Sequence, residues 1–118
     1  MLGALLALAI AGQPRAAWLP VHEDQEAITS IAARAIGRSG AYRTVAVRTM
    51  FRDAAAGGFV HALELDCAAS RLRAVHETIL DGRGARVTDG PSLSSAWITP
   101  PEGAPFRAVL TRICAPGD

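Results

Sequence analysis

The chain has 118 residues, half of them apolar, with 12 arginines, no lysine, 11 acidic residues and a formal charge of +1. That length suits one domain. The charge balance leaves no broad electrostatic footprint for nucleic acid or an anionic membrane, and the apolar fraction is too high for a disordered chain.

The first element is a leader. Leu2 to Ala11 is apolar apart from Gly3, which suits the hydrophobic part of a signal peptide and is too short to span a bilayer. Ala9-Ile10-Ala11 offers the small-x-small pattern of a cleavage site. Residues 1–11 are therefore expected to be removed, with a cut as late as Ala17 as the alternative, and residues 18–114 to form one domain. The expected location is secreted or periplasmic, with cell-surface association left open. The cysteines agree. Cys67 and Cys114 are an even pair in a small chain, without a C-x-x-C redox pair or four-ligand zinc spacing. A structural disulfide is the economical reading, worth about 4 kcal/mol in the chain-entropy picture.

Residues 12–26, with Trp18 as the large anchor, read as an extended arm. A strand is expected over about 27–33, then a turn through Arg38-Ser39-Gly40. Tyr42 to Phe51 alternates at period two, with Val45, Val47 and Phe51 on one face and Thr44, Arg48 and Met50 on the other, the pattern of a half-buried strand. After an Ala- and Gly-rich loop, Phe59, His61, Leu63, Leu65 and Cys67 share a face, with Glu64 and Asp66 opposite. Leu72 and Ala74 then alternate with Arg71 and Arg73. Setting Cys67 opposite Leu72 pairs Asp66 with Arg73 across a hairpin. Asp81-Gly82-Arg83-Gly84 has turn chemistry, a short strand follows over Ala85 to Thr88, and 89–95 read as a polar loop. Phe106, Val109, Leu110 and Ile113 recur at helical spacing after Pro105, and Pro116-Gly117 stops the helix. These elements compose an α+β fold: an antiparallel β-sheet meander covered by one C-terminal helix and tied by one disulfide.

The order of these marks resembles the surface-adhesin protein E family of secreted bacterial proteins. The matching features are Trp18, then Ala35-Ile36-Gly37-Arg38-Ser39-Gly40 leading into Val45-Ala46-Val47. They continue through Glu64-Leu65-Asp66-Cys67, Arg71-Leu72-Arg73, Ala96-Trp97-Ile98-Thr99-Pro100 and a terminal helix ending at Cys114. The resemblance implies a non-enzymatic interaction protein that acts by surface contact with an extracellular protein or glycan. It would have no cofactor, no nucleic-acid partner and no membrane span, and an exposed edge strand could pair with a second copy as a homodimer. The alternative is a periplasmic small-ligand-binding or inhibitor domain using an Arg-rich sheet face.

The residues offer few sites. Arg43, Arg48, Arg71 and Arg73 are expected together on one outer face, a candidate binding face for acidic surfaces, glycans or phosphate. Glu64 and Asp66 would partly neutralise it, and an ordinary solvated face is the plainer reading. His61 and His76, both expected on the core side with Cys67, raise a metal site against the plainer reading of two partly buried histidines. His22-Glu23-Asp24 raises weak cation binding against the plainer reading of a solvated arm. Ser92, Ser94 and Ser95 lie in a loop without a nucleophile-elbow motif; a small hydrolase using Ser95 and His61 is the weakest reading. Trp97 is expected to pack under the helix.

Overall fold

Alternation of β-branched and polar residues drives this chain mainly into strands rather than helices, and a computed structural model describes residues 18–115. The expected leader and the Pro116-Gly117 stop lie outside the described residues. Seven strands form in chain order: β1 (Trp18–Glu23), β2 (Ala27–Ala32), β3 (Gly37–Ser39), β4 (Tyr42–Phe51), β5 (Gly58–Asp66), β6 (Arg71–Leu80) and β7 (Arg86–Pro91). One helix, α1 (Pro105–Ile113), follows. The sheet order is β1-β2-β4-β5-β6-β7, every pairing antiparallel. β3 pairs with Tyr42–Thr44 of β4, alongside the segment that β2 occupies.

Parity sorts the side chains. Val45 and Val47 of β4, Leu63 and Leu65 of β5 and Leu72 of β6 share one face, and Ile31 of β2 joins them through its pairing with Val47. Helix α1 covers that face with Val109, Leu110 and Ile113, each no more than 3 % exposed. The helix starts with Pro105, whose missing N–H costs nothing in the first turn. Burial of these aliphatic residues, at ~1.5–3 kcal/mol each, is the main favourable term. The bond between Cys67 and Cys114 fastens the C-terminal end of α1 to the turn after β5.

Four expectations change. Residues 18–23 are not an arm but the edge strand β1, because Leu19 and Val21 pack on the core. β7 extends to Pro91, through residues expected as loop. The β5–β6 register is Asp66↔Arg71, Leu65↔Leu72 and Glu64↔Arg73 rather than Asp66 with Arg73. The cause is the turn Cys67–Ser70: Ser70 takes a left-handed φ of 53°, and the Asp66 carboxylate accepts the Ala69 N–H, so the hairpin closes directly after Asp66. Lastly, an irregularity between Ala62 and Leu63 places His76 opposite Ala62, whereas Leu63 faces Ala74. The extra residue, Val75, shifts the parity of β6.

Candidate interaction surface

The sheet face away from α1 carries Tyr42 of β4 and the paired charges of β5 and β6. On the β5–β6 hairpin, the corrected register sets each carboxylate opposite an arginine. Arg71 Nε donates to Asp66 at 3.0 Å, and Arg73 reaches Glu64 at 2.7 Å. The two carboxylate side chains are only 15 % and 16 % exposed, whereas Arg71 and Arg73 are 40 % and 33 % exposed. The acids therefore lie lower and the guanidiniums are presented outward, with their formal charge cancelled.

Trp97 completes this cluster. Leu72 and Ile98 exchange backbone hydrogen bonds at 2.9 and 2.8 Å, which brings the segment after β7 back alongside β6. With Ile98 so placed, the indole of Trp97 meets both guanidiniums, 4.7 Å from its centroid in each case. Tyr42 of β4 meets it edge-on at 4.9 Å. Trp97 thus lies on the face opposite α1 and does not pack under the helix, since its ring contacts Tyr42 of β4 and Arg71 and Arg73 of β6, all on the outer face. It is half-buried. Cation–π and edge-on contacts of this kind contribute roughly 0.5–1.5 kcal/mol each, so the platform is held by contacts within the protein itself.

The four expected arginines do not share a face. Arg48, Arg71 and Arg73 are on the outer face. Arg43 pairs with Leu65 and lines a cavity with Ile31 and Ile113, so it belongs to the helix-bearing face. Its odd parity with Val45 and Val47 carried that information, and grouping by residue type overrode it. Arg48 stands apart from the cluster, with its guanidinium 4.9 Å from the centre of the Trp18 ring. Its Nε is buried and meets no acceptor among the described residues, and burial pushes its pKa down.

The histidines separate as well. His61 is on the helix side, with Nε2 3.0 Å from Glu77 and its ring between Phe59 and Phe106. His76 is on the outer face, 3.9 Å from Asp89. Among the described residues no three His, Cys, Asp or Glu groups converge as metal ligands. His22-Glu23-Asp24 ends β1 as a turn clamp: the Asp24 carboxylate accepts the N–H groups of Glu26 and Ala27, and these hydrogen bonds hold its pKa below the usual carboxylate value. Ser92 donates to the Ser94 carbonyl and Ser94 accepts from the Ala96 N–H, so both hydroxyls serve the loop.

Sequence reasoning missed Tyr42 and the placement of Trp97. The even parity that Tyr42 shares with Thr44, Glu64 and Asp66 was readable; the return of Trp97 to β6 depends on a single bridge and had no local signal.

Among the described residues no helix is long and apolar enough to cross a membrane. Residues 18–115 match the family described as Surface-adhesin protein E. No curated protein and no solved structure matches the chain.

Proposed function

The chain belongs to the surface-adhesin protein E family, and from that premise we propose that it is a secreted, non-enzymatic contact protein whose outer sheet face docks on an extracellular protein. The observation that carries this reading is the platform of Trp97, Tyr42, Arg71 and Arg73. Trp, Tyr and Arg are the residues enriched at the energetic centres of protein interfaces. Here they are already held in place by Glu64 and Asp66, which lowers the ordering cost of binding.

Export is supported by the apolar start of the chain and by the disulfide, which persists in oxidising compartments. The small-anion reading of the outer face is weaker, because Arg71 and Arg73 are each neutralised by a carboxylate. Pairing of a second copy along an edge strand is also weaker. β1 carries Pro20 beside a bulge, and β7 has a bulge and ends in Pro91, both devices that blunt an edge.

The test is surface-plasmon binding to a panel of extracellular-matrix proteins and glycans, with wild-type protein and a Trp97→Ala variant of unchanged far-UV spectrum. Binding to a matrix protein that weakens at least about tenfold in the variant is expected, as for loss of a hot-spot residue. Binding confined to glycans, equal binding by both proteins, or none across the panel would overturn the reading.

A further inference from the structure

Five arginines among the described residues, Arg52, Arg71, Arg73, Arg86 and Arg107, each reach a carboxylate. Arg34, Arg38, Arg43, Arg48, Arg83 and Arg112 reach none among those residues; of these, Arg43 lines one cavity with Arg112 and a neighbouring one with Arg38. Arg38 and Arg43 stand directly opposite each other on β3 and β4. Like charges at directly opposed positions of a sheet are destabilising. Arg112 is in the last turn of α1, where the helix dipole favours a cation, but no such compensation applies to Arg43, which is half-buried.

Arg43 and Arg112 both line a cavity of about 460 Å³ on the helix-bearing side of the sheet. Its other walls are aliphatic: Leu19 from β1, Ile31 from β2, Ile36 from the connection to β3, and Ile113 from α1. Ile36 is 38 % exposed there. Arg43 also joins Arg38 in a neighbouring cavity of about 300 Å³ beside Cys67 and Cys114. The site therefore combines arginines without a carboxylate partner among the described residues with aliphatic walls, the usual composition of a small-molecule pocket.

We infer that this groove binds the carboxylate of an unbranched, medium-length aliphatic acid. A guanidinium fork matches a carboxylate in two parallel hydrogen bonds, and a bound anion relieves the repulsion between Arg38 and Arg43. The tail lies against Leu19 and Ile36, above the buried Ile31 and Ile113, each methylene taken out of water adding ~0.8 kcal/mol of transfer free energy. A peptide would suit the groove less well, since its amide groups would meet aliphatic walls without hydrogen-bond partners. The site is on the opposite face from Trp97, so it stands or falls separately from the adhesive surface.

Decanoate below its micelle concentration is the probe, read by thermal shift and by methyl NMR of Leu19, Ile31, Ile36 and Ile113. Decanol supplies the tail without the charge; acetate and inorganic phosphate supply charge without the tail. The expected result is a raised midpoint with decanoate alone, shifts confined to those methyls, and affinity lowered about tenfold or more in Arg43→Gln, as loss of a charge-assisted pair implies. Arg112→Gln, on an exposed side chain that does not support the core, gives the same direction should Arg43→Gln fold poorly. Trp97→Ala binds decanoate as wild type does. No decanoate binding, an equal response to decanol or phosphate, or affinity unchanged in Arg112→Gln would overturn the inference.

Discussion

Arg48 shows what a single side chain costs on the outer face. Its guanidinium remains charged, because arginine keeps its proton in proteins. The Trp18 ring returns roughly 0.5–2 kcal/mol at this half-buried site. Against that, the buried Nε has no acceptor among the described residues, a loss of about 1–3 kcal/mol for an unmet donor. The second effect is the larger. Arg48→Met, which keeps the length of the stem over Trp18 and removes the donor, is expected to raise unfolding stability by about 1 kcal/mol. The measurement is the shift of the urea midpoint at constant slope. A lower midpoint would mean that the arginine–indole contact outweighs the missing hydrogen bond.

At the scale of elements, two carboxylates hold the hairpin ends. Asp24 accepts the N–H groups of Glu26 and Ala27 between β1 and β2; Asp81 accepts those of Arg83 and Ala85 between β6 and β7. These backbone hydrogen bonds lower both pKa values below 3.8. A carboxylate whose pKa is lower folded than unfolded stabilises fully above the unfolded value, and that contribution disappears as pH falls through the folded one. The window is therefore below about pH 3.8. The double variant Asp24→Asn, Asp81→Asn is expected to melt below wild type at pH 6, with the gap between the two narrowing as pH drops through that window. A gap independent of pH would remove the turns from the acid response. Period-two alternation made β4, β5 and β6 legible in the sequence, and helical spacing did the same for α1, because each buries a clean apolar face. β1 was not legible: Pro20 and the bulge at Val21 interrupt its alternation, and its core contacts exist only once β2 is in place. The bulge in β6 likewise hid the outward turn of His76, since one extra residue reverses parity without leaving a residue-type signal. The same limit applied to the candidate face. Arg71, Arg73, Glu64 and Asp66 were readable from parity, but Trp97 reaches them through the Leu72–Ile98 bridge, a contact between segments 26 residues apart in sequence.

For the whole molecule, the disulfide decides whether sheet and helix behave as one body. Helix α1 has nine residues, too few to persist alone in water, and the residues before it, Ser92 to Ala104, include one isolated bridge and no strand or helix. The Cys67–Cys114 bond fixes its far end to the β5–β6 turn across a separation of 47 residues. Closing a loop of that length removes about 4 kcal/mol worth of denatured-state entropy in the chain-entropy picture, a large share of the ~5–15 kcal/mol that holds a domain of this size. Replacing both cysteines by serine is therefore expected to lower unfolding stability by about 2–5 kcal/mol. The loss should be felt unequally by the two faces. The Trp97 platform is held by β4, β6 and the Leu72–Ile98 bridge, so its fluorescence and partner binding should persist to higher denaturant. The groove takes Ile113 and Arg112 from the freed end of α1, so decanoate binding should fail first. Hydrogen exchange with methyl NMR on the double-serine variant measures this order. Simultaneous loss of both faces would mean that the packing of Val109 and Leu110, rather than the covalent tie, makes the helix inseparable from the sheet.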